Sequence, residues 1–79
     1  MNQVQRSISA IAQDILREWK KVNYAAEPYL RAMLELGTVE DKFICDDGRS
    51  IVLYFLSNAS SFRGERAKEL KAELKAMVG

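Results

Sequence analysis

The chain has 79 residues but no histidine and only one cysteine, Cys45. No internal disulfide can form, and a structural zinc site is excluded because such sites draw four ligands mainly from these two residue types. Catalysis by histidine is excluded as well, and no serine lies in a G-x-S-x-G nucleophile motif. We therefore predict a protein that is not an enzyme and that binds no cofactor or metal.

Cys45 is the one candidate nucleophile, and its surroundings argue against that role. Asp46 and Asp47 follow it directly, and neighbouring negative charge disfavours the reactive thiolate. We predict an inert, partly buried cysteine. The two aspartates lack the spacing of a calcium-binding EF-hand loop, so we interpret them as a turn or a helix cap. One unpaired cysteine also fits the reducing cytoplasm.

Long apolar runs are absent. The amino terminus, MNQVQRSISAIAQDILREWKK, lacks the uninterrupted apolar core of a signal peptide, and no run of about 18 apolar residues occurs in the chain. We therefore expect neither secretion nor a membrane-spanning segment, and we predict a cytoplasmic protein.

The most apolar stretch is RSIVLYFLSNASSFRG, residues 49–64. Its apolar side chains recur with the 3.6-residue period of a helix, so we predict a buried helix over 49–60. The alternative is a β-hairpin over 42–56, because β-branched and aromatic residues are concentrated here and Asp46, Asp47 and Gly48 could form a turn.

The first segment carries the clearest helical pattern. Apolar residues recur in steps of three and four from Val4 to Val22, which predicts an amphipathic helix over 3–22. Further helices are predicted over 26–36, ended by Gly37 in a left-handed conformation, and over 62–77, with an irregular loop over 38–48. The fold class is all-α, a single four-helix domain over residues 1–79. The predicted core is Ile8, Ile11, Ile15, Trp19, Leu30, Met33, Ile51, Phe55, Phe62, Leu70 and Leu74.

We predict that the chain is a protein-interaction module that associates with a second copy of itself through the first helix. A chain this short is near the lower size limit for a stable monomeric core, and no metal or disulfide compensates. The apolar edge of the first helix exceeds what three short partner helices should cover, and closed two-fold dimers are the commonest homo-oligomers. We therefore predict a homodimer whose contact seam consists of Val4, Ile8, Ile11, Ile15 and Trp19.

Nucleic-acid binding is the alternative function. The net charge is only +1, but residues 1–22 carry four basic and two acidic groups. The outer face of the first helix could follow a phosphate backbone, although strong binders have a larger positive excess. Arg49 and Arg63 each precede a predicted helix, where free backbone N–H groups could hold an anion. The candidate anion or nucleic-acid contacts are Arg6, Arg17, Lys20, Lys21, Arg49 and Arg63.

Two segments carry a family resemblance. YAAEPYLRAMLEL, residues 24–36, and GRSIVLYFLSNASSFRGERAKELKAELKAM, residues 48–77, resemble small bacterial proteins of no known function, many of them from phages or other mobile elements. The resemblance implies a cytoplasmic setting and assigns no site residue.

Overall fold

A computed structural model of the chain describes residues 6–79, which form four α-helices and one short β-hairpin. The predicted all-α, four-helix fold is confirmed. In chain order the elements are α1 (Ile8–Glu18), α2 (Glu27–Met33), β1 (Lys42–Phe43), β2 (Asp46–Asp47), α3 (Gly48–Ser57) and α4 (Glu65–Val78).

Helix α1 is shorter than the predicted 3–22. Ser7 is extended and its hydroxyl accepts a hydrogen bond from the Ala10 N–H at 3.1 Å, which caps the helix. The helix ends at Glu18 because Trp19 is again extended, with φ −97° and ψ 96°. That change of direction brings the indole against the ring of Phe62, at 5.0 Å between centroids.

Helix α2 ends at Met33, earlier than the predicted residue 36. Gly37 does not adopt the left-handed conformation that was predicted for it. Among the described glycines, positive φ occurs only at Gly64 and Gly79. Gly37 instead joins two helices, because its carbonyl accepts a hydrogen bond from the Ile8 N–H at 2.9 Å. Its own N–H donates to a carboxylate oxygen of Asp41 at 2.7 Å. The chain after α2 is therefore tied to the start of α1, where free N–H groups need partners.

The predicted irregular loop over 38–48 contains a real hairpin. β1 and β2 are antiparallel, with Phe43 opposite Asp46, and the two-residue turn between them is Ile44–Cys45. The hairpin alternative was right about pairing in this region. It was wrong about the turn residues and about 51–56, which are helical.

Helix α3 follows β2 directly. Asp47 is its cap, and one of its carboxylate oxygens accepts a hydrogen bond from the Ser50 N–H at 2.8 Å. Gly48 is buried where the hairpin meets the helix, and its N–H donates to the Asp41 carbonyl at 2.6 Å. A Cβ atom here would lie 2.7 Å from the carbonyl oxygen of Thr38. This close approach of two backbone segments requires glycine.

The hydrophobic core lies between all four helices, and every predicted core residue is buried. Phe55 is fully inaccessible and meets Trp19 edge-on at 6.1 Å between ring centroids. Helix α1 runs antiparallel to α4, since Arg6 near its start contacts Glu73 and Trp19 after its end contacts Phe62.

The predicted self-association seam belongs to this core. Ile8, Ile11 and Ile15 are 0% exposed and Trp19 is 7% exposed within one chain, while Val4 lies outside the described residues. The described residues of this seam are therefore covered within the same chain and leave no surplus edge, although Leu16 beside them on α1 is 44% exposed. Any contact between copies that leaves the domain folded must use other residues.

Candidate functional site

An apolar and aromatic surface lies on the outer side of α2 and α3. Leu53 is 47% exposed and Tyr54 is 51% exposed on α3. The ring of Tyr54 lies against that of Tyr29 from α2, at 5.4 Å between centroids and tilted by 37°. Aromatic contact of this kind holds both rings in a defined position. We call Tyr29, Leu53 and Tyr54 the tyrosine surface.

The tyrosine surface is uncharged. Residues 50–62, which include all of α3 after Arg49, contain no Asp, Glu, Lys or Arg. The exposed side of α3 thus presents Leu53 and Tyr54 with the small polar Ser57 and no charge. The solvent side of a helix is normally more polar or charged. Patches of this type mark contacts with other macromolecules.

A second feature is a carboxylate surrounded by three arginines. The side chain of Asp14, only 10% exposed, accepts hydrogen bonds from Arg6 at 2.6 Å, from Arg66 at 3.2 Å and from Arg17. These interactions lower the pKa of Asp14, with the Arg6 hydrogen bond the largest cause, although burial acts in the opposite direction. We call this arrangement the Asp14 cluster.

The cluster extends to α4 through Arg6. Its guanidinium group makes two hydrogen bonds with Glu73, at 3.0 and 2.7 Å. This fork geometry is the strong form of an arginine–carboxylate pair. Glu69 and Glu73 lie four residues apart on α4, a spacing at which like charges repel. Pairing of Glu73 with Arg6 and of Glu69 with Arg66 offsets this repulsion.

Three of the predicted anion contacts are therefore engaged within the chain. Arg6 and Arg17 pair with acidic residues as described, and Arg49 donates a hydrogen bond to the Val78 carbonyl at 2.9 Å. At the start of α3 the Asp47 carboxylate takes the place that an external anion would need. Two of the arginines predicted to form a basic outer face on α1 are therefore paired within the chain.

The remaining three predicted contacts lie at one end of the molecule. Lys20 and Lys21 directly follow Trp19, Arg63 directly follows Phe62, and the two aromatic rings are stacked. The Nζ atom of Lys71 lies 5.7 Å from the centre of the Phe62 ring. Burial lowers the pKa of Lys71, and the nearby charges of Lys75 and Arg63 lower it further. We call Lys20, Lys21, Arg63, Lys68 and Lys71 the basic end.

The hairpin tip differs from its prediction. Cys45 is exposed rather than partly buried, because it forms half of the two-residue turn. Ile44, the other half, is 84% exposed and has φ of 60°. A β-branched residue is strained in this left-handed region.

A surface cleft of about 250 Å³ lies beside the start of α1. It is lined by Arg6, Ser7, Gly37, Thr38, Val39 and Met77.

The tyrosine surface and the Asp14 cluster could not be assembled from the sequence, for different reasons. Tyr29 and Tyr54 are aromatic residues that can serve an interface or the core, and core packing was the favoured interpretation; the 51% exposure of Tyr54 beside Tyr29 depends on the fold. Asp14 left a signal, since it lies about 60° around α1 from Ile11. A carboxylate so close to an apolar stripe requires a basic partner. Its partners Arg6 and Arg66 are distant in sequence and could not be identified by spacing.

Two negative findings complete the description of the site. Over residues 6–79, no helix combines the length and the apolar character needed to cross a membrane. The same residues contain no group of three or more Cys, Asp or Glu side chains placed to hold a metal ion. No protein-family model, curated protein or solved structure matches the chain.

Proposed function

We propose that this chain is a non-catalytic protein-interaction module of the cytoplasm that pairs with a second copy of itself through the tyrosine surface. The observation that carries the proposal is the half-exposed, uncharged face of α3 with Leu53 and Tyr54, positioned by Tyr29. Tyrosine is enriched at the energetically dominant positions of protein interfaces.

Charge favours a second copy as the partner. A two-fold axis places the same surface of both copies in contact, so any charge on that surface meets its own sign. Residues 50–62 bring no such repulsion because they are uncharged, and on α2 the charges of Glu27 and Arg31 pair with each other. Helix α4 is a poor alternative, since Lys68, Lys71 and Lys75 recur along one flank and would meet their own sign across the axis. This assignment replaces the seam of Ile8, Ile11, Ile15 and Trp19, which is buried.

Sedimentation equilibrium of the full chain at tens of micromolar tests the proposal. We expect a dimer for the unmodified protein and a monomer for Tyr54→Glu, because the new carboxylates would meet across the axis. Leu16→Glu is the matched control, since Leu16 is 44% exposed on α1, away from the surface. A monomeric unmodified protein, or equal loss of the dimer in both variants, would reject self-association through the tyrosine surface.

A further inference from the structure

The arginines of the chain differ in whether they contact a carboxylate. Within residues 6–79, Arg6, Arg17, Arg31, Arg49 and Arg66 each lie within 4.0 Å of a carboxylate. Arg63 is the one described arginine without such a partner, and it lies in the basic end. The lysines of the basic end likewise have no carboxylate within this distance among the described residues.

The topology collects these cations. The chain leaves α1 at Trp19 and enters α4 after Phe62, and the stacked rings hold the two chain segments together. Lys20, Lys21 and Arg63 are consequently brought to one end. Helix α4 adds Lys68 and Lys71, which lie three residues apart on one of its flanks. Lys75 continues this flank toward the far end of the helix.

The opposite end of the molecule is acidic. The hairpin and the turn before it carry Glu40, Asp41, Asp46 and Asp47, and they adjoin the start of α1 and the end of α4. The two ends therefore carry net charge of opposite sign, although Lys42 lies among these acidic residues and Glu18 and Glu65 lie near the cations of the basic end in the chain. Gathering like charges at one end opposes folding, and a polyanion bound there would relieve the repulsion.

We propose that the basic end binds the phosphate backbone of a nucleic-acid duplex, without reading its sequence. The exposed cations can neutralise phosphates, which are the positioning contacts of such complexes. A single strand would be preferred if aromatic rings were open for base stacking. Here Trp19 is 7% and Phe62 is 3% exposed, so neither ring offers a stacking platform. Tyr24, three residues after Lys21, is 87% exposed, but a single ring does not form the row of aromatic side chains on which successive bases stack. This surface is separate from the tyrosine surface, and its occupation does not depend on self-association.

Fluorescence anisotropy with a labelled 20-base-pair DNA duplex of mixed sequence is the test. If three phosphates are neutralised, affinity should fall about 40-fold between 50 and 200 mM salt, from a slope of about −2.7 in log K against log salt. A duplex of different sequence should bind equally. An unlabelled single strand of equal length should compete less well than the unlabelled duplex.

Two charge-neutralising variants provide the comparison. Arg63→Gln should weaken binding and reduce the salt slope by about one unit. Lys42→Gln removes the same charge from the hairpin at the acidic end and should leave binding unchanged. Arg63 is exposed, so its substitution should not prevent folding, which circular dichroism checks. Tyr54→Glu should bind duplex normally, which separates this proposal from self-association.

Three outcomes would overturn the proposal. The first is no measurable duplex binding at 50 mM salt. The second is equal weakening by Arg63→Gln and Lys42→Gln, which would reflect net charge alone. The third is stronger competition by poly-glutamate than by unlabelled duplex at equal charge concentration, which would indicate an acidic protein as the partner instead.

Discussion

Single residues in this protein have effects that their position in the sequence does not suggest. Asp14 is one acidic side chain on a helix of mixed charge, yet it receives Arg6, Arg17 and Arg66 and joins α1 to α4. Because the carboxylate is largely buried, its charge is stabilised by these partners rather than by water. The arginines themselves remain partly exposed, which limits how much each pair contributes.

Replacing Asp14 by Asn should therefore destabilise the protein and change its response to acid. We expect a loss of about 1.5–3 kcal/mol at pH 7, the range for hydrogen bonds to charged groups. The folded state lowers the pKa of Asp14, so the unmodified protein should lose stability as the pH falls from the ordinary value of 3.8 through the lowered folded value. The variant lacks this group and should lose less.

Urea denaturation at pH 7, 5 and 3 measures both effects. Part of the acid sensitivity should persist in Asp14→Asn, because backbone N–H groups also lower the pKa of Asp41 and Asp47. Glu69→Gln, which breaks an exposed pair with Arg66, is the control and should change little at any pH. Identical pH profiles for Asp14→Asn and the unmodified protein would contradict the role given to the cluster.

Ile44 offers the opposite case, a residue whose replacement should stabilise. The left-handed conformation costs about 1–2 kcal/mol for an L-residue, whereas glycine adopts it without that penalty but loses about 0.5–1 kcal/mol in chain entropy. Ile44→Gly should thus raise the free energy of unfolding by about 0.5–1 kcal/mol. Cys45→Gly, next to it but without positive φ, should lower stability. Thermal melts of both variants test this prediction, and a lower melting temperature for Ile44→Gly than for the unmodified protein would contradict it.

At the scale of elements, the junction between the hairpin and α3 is the most constrained. Asp41 accepts hydrogen bonds from Gly37 and Thr38, and its carbonyl accepts one from Gly48. A single aspartate thereby holds the end of α2, the following turn and the start of α3 in one arrangement. These three elements should therefore open together in native-state hydrogen exchange.

Gly48→Ala should break this junction. Its methyl group would meet the Thr38 carbonyl at 2.7 Å and the Val39 Cα at 3.0 Å, both backbone atoms that cannot rotate away. We expect a loss of about 1–3 kcal/mol, measured by urea denaturation. In the matched variant Gly37→Ala, the new methyl group meets only the carboxylate of Asp41, at 3.0 Å, so the loss should be smaller. Equal losses would show that the backbone contact is not the cause.

At the scale of the whole molecule, one core joins all four helices, so its central residues should control global stability. Phe55 is fully buried and contacts Trp19. Phe55→Ala should cost about 3–5 kcal/mol, which is comparable with the total stability of a domain this small. Leu53→Ala on the exposed side of α3 should cost much less. A cooperative melt of Phe55→Ala near that of the unmodified protein would show that the core lies elsewhere.

The helices and core could be predicted because apolar periodicity is a local property of the sequence. The seam on α1 illustrates the limit of that information. Periodicity identifies Ile8, Ile11 and Ile15 as a face, but what covers the face depends on how α2 and α4 are arranged. The turn of the hairpin was expected at Asp46–Gly48 rather than at Ile44–Cys45, because Ile44 and Cys45 are not typical turn residues. The tyrosine surface and the Asp14 cluster each depend on pairs of residues that are distant in the chain.

The stacking of Trp19 on Phe62 gives the molecule an optical property. Trp19 is the only tryptophan, it is almost fully buried, and it lies where α1 ends against the entry to α4. Its fluorescence therefore reports on the docking of these two helices in an unlabelled protein. Because Lys20, Lys21 and Arg63 border the same rings in the chain, ligand binding at that end should alter the emission while the protein stays folded.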